Sequence, residues 1–149
     1  MNPFHNAYEF LALHLNNEFY NVPNEAIEQA QADLGFKFPQ ELIDCYTHLG
    51  YGFIKGSRQN VNRLMDPLSV RDFRLKQNDF EFFPDIELYD NLEDELIFFE
   101  ANETAIISIK LVDSESSAIY YDEFKIANSL AEFLQKIAVD DMYYMDLID

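Results

Sequence analysis

The feature that most constrains the fold is a change in the spacing of apolar residues along the chain. In the first half, apolar residues recur three and four positions apart, which is the period of one face of an α-helix. In the second half, β-branched residues alternate with polar ones, which is the period of a β-strand. Near the end the helical period returns. Helices, then strands, then a closing helix indicate an α+β fold.

Three helices are predicted before residue 51. The first covers residues 3–20, the second begins with Asn24 as its N-cap and ends at Gly35, and Pro39 opens a third that Gly50 closes. The apolar face of the first helix consists of Phe4, Tyr8, Leu11, Leu15 and Phe19.

Strands are predicted after the third helix. A short extended piece at Phe53–Lys55 precedes a poorly patterned stretch, 56–76, in which residues 68–75 favour a short helix. Leu96–Phe99 is typical of a buried strand, Ala105–Leu111 of a half-exposed one, and Ala118–Tyr121 of its partner. We expect a mixed, mainly antiparallel sheet.

The closing helix has the clearest start signal in the chain. Ser129 and Glu132 have the spacing of a capping box. The apolar face that follows consists of Leu130, Phe133, Leu134 and Ile137. An acidic tail, 140–149, ends the sequence. With 149 residues, the chain has the size of one ordinary domain, so we predict a single domain over 1–149.

The sequence also predicts a location. The N-terminus lacks the basic and apolar regions of a signal peptide, and no apolar run approaches the roughly 18 residues of a membrane span. The single cysteine, Cys45, lies in a helical apolar pattern and is expected to be a buried thiol. We therefore expect a cytoplasmic protein that does not enter the membrane.

Charge is distributed unevenly. The net charge is −18; residues 1–78 hold 9 acidic and 7 basic residues, whereas residues 79–149 hold 19 acidic and 3 basic ones. Such a field repels nucleic acid and anionic lipid and attracts basic proteins. A surface that is merely well solvated is the alternative explanation.

No motif for chemistry is present. The sequence has no P-loop, G-x-S-x-G or G-x-G-x-x-G pattern, and only four glycines. His5, His14 and His48 lie in predicted helices without the spacing of a helical metal site. We therefore expect no catalytic residues, no metal and no cofactor.

The densest acidic run lies at residues 85–95. It lacks the glycine and the alternation of a calcium-binding loop, and apolar residues, among them Tyr89, are interspersed in it. A solvated loop, a calcium site and a carboxylate pair are alternatives, but aromatic anchors among charges favour a protein interface. The residues expected to bind a partner are Asp85, Glu87, Tyr89, Asp90, Glu93, Asp94, Glu95, Tyr143 and Tyr144.

Four segments resemble a known family. Residues 23–42 read PNEAIEQAQADLGFKFPQEL, a helix ending in Leu-Gly, an alternating step and a proline that opens the next helix; residues 49–53 read LGYGF. Residues 118–123 read AIYYDE and residues 126–134 read IANSLAEFL. In order and spacing these segments resemble the SUKH superfamily, with a family-like core over about 23–137.

The resemblance implies a mixed sheet packed on helices, without catalytic residues. Bacterial members of that superfamily are mostly immunity proteins that neutralise toxins, often nucleases, and fungal members regulate cell-wall assembly by protein contacts. We therefore expect a non-enzymatic immunity protein that binds a cognate toxin domain with a basic surface. The alternatives are a regulatory protein-interaction scaffold and a hydrolase using a carboxylate pair in 85–95.

Overall fold

The computed structural model describes residues 17–55, 61–81, 94–101, 105–111, 116–140 and 142–147. Over these ranges, seven strands form one sheet in the order of the chain, and each strand pairs antiparallel with its neighbours. The strands are β1 Glu18–Tyr20, β2 Tyr51–Lys55, β3 Val61–Leu64, β4 Glu95–Ala101, β5 Ala105–Lys110, β6 Ile119–Tyr121 and β7 Phe124–Ala127. The α+β class is confirmed, and the described sheet is antiparallel throughout instead of mixed.

Five α-helices accompany the sheet in the described ranges. They are α1 Asn24–Leu34, α2 Gln40–His48, α3 Pro67–Leu75, α4 Leu130–Val139 and α5 Tyr143–Leu147, with a short 3₁₀ turn at Asn78–Phe80. No helix there is long and apolar enough to cross a membrane. The helices predicted at 24–35, 39–50 and 68–75 and the closing helix are confirmed.

The prediction that the first helix extends to residue 20 is wrong, and two glycines explain why. Residues 1–16 lie outside the described ranges, and Glu18–Tyr20 is strand β1. The backbone of β1 lies so close to β2 that a Cβ atom on Gly50 would collide with the carbonyl of Tyr20, and one on Gly52 with the carbonyl of Glu18. The apolar spacing that continued to Phe19 could not reveal this tertiary pairing.

The helix ends mostly follow the sequence signals. Gly35 adopts the left-handed conformation, with φ of 84°, that ends α1. Ser129 Oγ accepts a hydrogen bond from the Glu132 N–H at 3.1 Å, as the capping box predicts. Asn24 is the first helical residue of α1, so the preceding Pro23 occupies the N-cap position, and this predicted cap is wrong.

The core lies between the sheet and the helices, and aromatic rings fill its centre. Phe133 of α4 is fully buried, and its ring meets Phe98 and Phe99 of β4 edge to face, with centroids 6.0 and 4.9 Å away. The Tyr46 hydroxyl of α2 donates to the Met65 carbonyl at 2.6 Å. Ala105–Ile109 of β5 is buried throughout, so the prediction of a half-exposed strand is wrong.

A buried carboxylate joins α2 to the start of α4. Glu41 is fully buried, and its two oxygens accept hydrogen bonds from the Ser117 N–H at 2.7 Å and the Ala131 N–H at 3.1 Å. Burial raises the pKa of Glu41, and the backbone donors, including Leu130, oppose that rise. Because the carboxylate meets the N-terminus of α4, it fixes where that helix begins and therefore where its exposed end lies.

Candidate partner-binding surface

Two members of the predicted acidic run, Asp94 and Glu95, lie in the described ranges; Asp85, Glu87, Tyr89, Asp90 and Glu93 lie outside them. Asp94 forms an ion pair with Lys110 at 2.7 Å at the start of β4. Glu95 accepts a hydrogen bond from Ser108 Oγ at 2.7 Å. The Lys110 hydrogen bond lowers the pKa of Asp94, which keeps this carboxylate ionised, whereas a general acid needs a raised pKa.

The two predicted tyrosine anchors differ in exposure. Tyr144 is only 1% exposed, and its ring meets Tyr121 edge to face with centroids 5.2 Å apart. In this conformation Tyr144 belongs to the core and is not available to a partner. Tyr143 is half-buried, and its hydroxyl donates to the Ile126 carbonyl at 2.7 Å. Burial raises its pKa, so the hydroxyl stays protonated and keeps α5 on β7.

The structure does not bring the acidic start of β4 together with these tyrosines. Strands β5 and β6 separate β4 from β7, which places the two sites about 14 Å apart across the sheet at the usual strand spacing. Glu95 pairs with Lys110 near one end of β5, whereas Tyr121 pairs with Ile107 toward the other end. The described members of the predicted set, Asp94 and Glu95 on one side and Tyr143 and Tyr144 on the other, therefore lie in two separate places.

A second surface lies where β7, α4 and α5 meet. Three of the five large apolar side chains exposed in the described chain lie there: Phe124 is 39% exposed, Val139 73% and Met145 38%. The other two, Tyr20 and Leu75 (38% exposed), lie on β1 and α3. We define the C-terminal patch by Tyr121, Asp122, Glu123, Phe124, Val139 and Met145.

Strand β7 packs against both α4 and α5, which brings together the elements that carry the C-terminal patch. Tyr121 and Phe124 are register partners across the two-residue turn that joins β6 to β7, so they lie on one face. Tyr121 packs against Tyr144, which precedes Met145 on α5. Asp122 and Glu123 are exposed at the turn, and Asp122 has a φ of 53°, which aspartate tolerates better than most residues.

Sequence reasoning did not find this hairpin. The sequence nevertheless contains a signal for a hairpin turn at Asp122. Tyr121 precedes and Phe124 follows the pair Asp122-Glu123, so aromatic and apolar residues flank two acids on both sides. The pattern predicts the strand Ala118–Tyr121 but not β7.

The cations of the central segment are engaged within the chain. Arg63 pairs with Glu100 at 3.1 Å and Asp66 at 3.6 Å. Arg71 pairs with Asp33 and Asp72, each at 2.9 Å, and Arg74 donates to the Glu95 carbonyl at 2.7 Å. Among these carboxylates, only Glu100 belongs to residues 79–149. Arg63 and Arg71 therefore pair mainly with carboxylates of the first half of the chain.

No metal centre is built from the described residues. Within those ranges, no group of three or more His, Cys, Asp or Glu side chains is placed to hold a metal ion. Cys45 is a buried thiol in the core and forms no disulfide in the described chain, as expected. The described carboxylates instead accept hydrogen bonds, form ion pairs or face solvent.

The architecture defines an α+β protein built on a sequential antiparallel sheet with helical cover. Residues 21–136 match the SMI1 / KNR4 family (SUKH-1), and the chain belongs to this family. It is 53% identical over 144 residues to the protein called Immunity protein YxxD of Bacillus subtilis (strain 168), an alignment that covers 96% of this chain and 98% of that relative. No solved structure matches the chain. The resemblance seen in the sequence is thereby confirmed.

Proposed function

We propose that this chain is a non-enzymatic immunity protein of the cytoplasm that binds and neutralises a cognate bacterial toxin domain. The observation that carries the proposal is the 53% identity, over nearly the whole of both chains, to a protein named as an immunity protein. Membership of the SMI1 / KNR4 family (SUKH-1) supports it. Binding over the toxin's working surface would suffice, because occlusion needs no covalent chemistry.

Electrostatics favours a basic toxin domain. The chain carries 28 acidic and 10 basic residues, and its described central arginines are engaged in internal contacts. A nuclease has to bind polyanionic nucleic acid and so presents a basic surface, which an acidic inhibitor complements. We therefore propose a nuclease as the class of toxin.

In this proposal the acidic run attracts the basic toxin domain electrostatically and so speeds its association. Asp94 is exposed and stays ionised, because the hydrogen bond from Lys110 lowers its pKa. Together with Asp85, Glu87, Asp90 and Glu93 it would draw a basic partner to the chain, with Tyr89 as an apolar anchor within the run. Two further described residues are proposed to contact the partner: Glu95, which accepts a hydrogen bond from Ser108, and the half-buried Tyr143.

Co-expression tests the proposal. A toxin domain identified by pull-down with this chain and mass spectrometry is produced inside a bacterial host with and without the chain. We expect the toxin domain alone to stop growth and the chain to restore it, with the two proteins copurifying. Growth that stays arrested while the chain accumulates as a folded protein would contradict the immunity function.

A further inference from the structure

We propose that the C-terminal patch is the surface on which the basic toxin domain docks, with arginine or lysine side chains of the toxin lying against Phe124 and between Asp122 and Glu123. This inference rests on the proposed function. It adds a location for the interface that lies away from Asp94 and Glu95, the described end of the acidic run.

The apolar part of the patch suits a protein interface. Phe124, Val139 and Met145 are exposed on three elements that pack together, whereas apolar exposure elsewhere in the described chain is confined to single residues. An exposed aromatic side chain next to aliphatic ones is the usual centre of an interface. A surface that only kept the protein in solution would not need these exposed apolar side chains, whereas a binding surface uses them as an anchor.

The patch is also held rigidly before binding. The Tyr143 hydroxyl holds the Ile126 carbonyl at 2.7 Å, and the Tyr121 and Tyr144 rings meet edge to face. These contacts fix α5 against the hairpin that carries Phe124. Because the elements that carry the patch are fixed to one another in advance, less backbone freedom is lost on docking.

The charges around the patch select a basic partner. Asp122 and Glu123 are exposed at the turn and take part in no ion pair within the described chain. Lys136 is held by Glu132 at 3.2 Å and lies over the Tyr143 ring. Lys125 follows Phe124 directly, so its side chain points to the opposite face of the sheet. The turn that directly precedes Phe124 thus carries two exposed carboxylates.

A second copy of the chain is a poor occupant for the same reason. A symmetric contact would place Asp122 and Glu123 of one molecule near those of the other, and like charges disfavour such a contact. The net charge of −18 adds to this repulsion. A partner of opposite charge meets neither obstacle.

Binding measurements with matched variants test the assignment. The probe is the purified toxin domain identified by pull-down with the unchanged chain, and each variant is checked for an unchanged circular dichroism spectrum. Phe124→Ala should raise the Kd at least about 30-fold, the effect expected of a central interface residue. Leu75→Ala is the control, since Leu75 is exposed to almost the same extent on α3, and it should change the Kd less than about threefold.

A charge pair provides the second arm. Asp122→Asn with Glu123→Gln should slow association and flatten its salt dependence, whereas Glu25→Gln with Glu28→Gln, exposed acids of α1, should do neither. Suppose that the Phe124→Ala variant and the variant with Asp122→Asn and Glu123→Gln both match the unchanged chain in Kd and association rate. The docking surface is then refuted while the immunity function stands. If the unchanged chain does not bind the toxin domain, both fail. If Phe124→Ala converts a dimer of the free chain to a monomer, the occupant is a second copy and the proposal is overturned.

Discussion

Phe133→Ala tests the contact on which the core depends. The ring is fully buried between α4 and β4, with Phe98 and Phe99 edge to face at 6.0 and 4.9 Å. Truncation of a buried phenylalanine typically costs about 3–5 kcal/mol, and each such ring pair accounts for about 0.5–1.5 kcal/mol. Since strand β4 cannot move far into the gap, we expect a loss of about 4 kcal/mol, or roughly 8–16 °C in Tm for a chain of this size.

Urea unfolding followed by circular dichroism measures this loss, and Phe124→Ala is the matched control. Phe124 is the same residue type at an exposed position, so its truncation should cost under about 1 kcal/mol. The two variants differ only in burial. A loss below about 1 kcal/mol for Phe133→Ala, or equal losses for both, would refute the packing of α4 on β4.

Three further predictions follow from the described contacts. Glu41→Gln should lower the free energy of unfolding by about 1–3 kcal/mol, because glutamine supplies one acceptor where Glu41 supplies two. Because the pKa of Glu41 is raised in the folded state, protonation of Glu41 stabilises the unchanged protein below the ordinary pKa of 4.5, and this stabilisation is lost as the pH rises through the raised value. Glutamine does not titrate, so the loss of stability in Glu41→Gln, measured by urea unfolding, should be smaller at about pH 8 than at about pH 5. Gly52→Ala should lower the free energy of unfolding by about 1–3 kcal/mol and speed hydrogen exchange in β1. Gly35→Ala, whose added Cβ meets no neighbouring atom, should lower it by about 1 kcal/mol and leave exchange in β1 unchanged. A chelator should leave the Tm unchanged, since neither the sequence nor the described ranges contain metal-ligand clustering; a marked fall would show a metal site.

Helices and buried strands could be predicted where local pattern and tertiary structure agree. The closing helix is the clearest case, since Ser129 caps it and Phe133 lies on its buried face. Strand β3 could not be predicted, because Asn62 and Arg63 interrupt its apolar pattern. Asn62 is nevertheless fully buried, and its amide donates to the Ile54 carbonyl at 3.1 Å on the neighbouring strand. Partners distant in the sequence determine such positions.

The candidate surface was predictable in its charge but not in its arrangement. The acidic half is visible in the sequence, whereas the exposure of Phe124 depends on a hairpin that ends beside α5. Tyr144 shows the opposite case: it lies in a tail rich in acids, yet its ring packs on Tyr121. Glu41 has the sequence signature of an exposed acid in the first turn of a helix, and only the fold shows that it is buried.

The most direct test of an acidic inhibitor steered to a basic toxin is stopped-flow association with the purified toxin domain. Between ionic strengths of about 0.01 and 0.15 M the Debye length falls from about 30 to about 8 Å, so the on-rate should fall steeply while the off-rate changes little. Reversal to lysine of the four acids Asp90, Glu93, Asp94 and Glu95 should slow association further; a circular dichroism spectrum checks that this variant is folded, since Glu95 loses its hydrogen bond from Ser108. An on-rate indifferent to both salt and the four reversals would contradict steering and leave the acidity as a solubility feature.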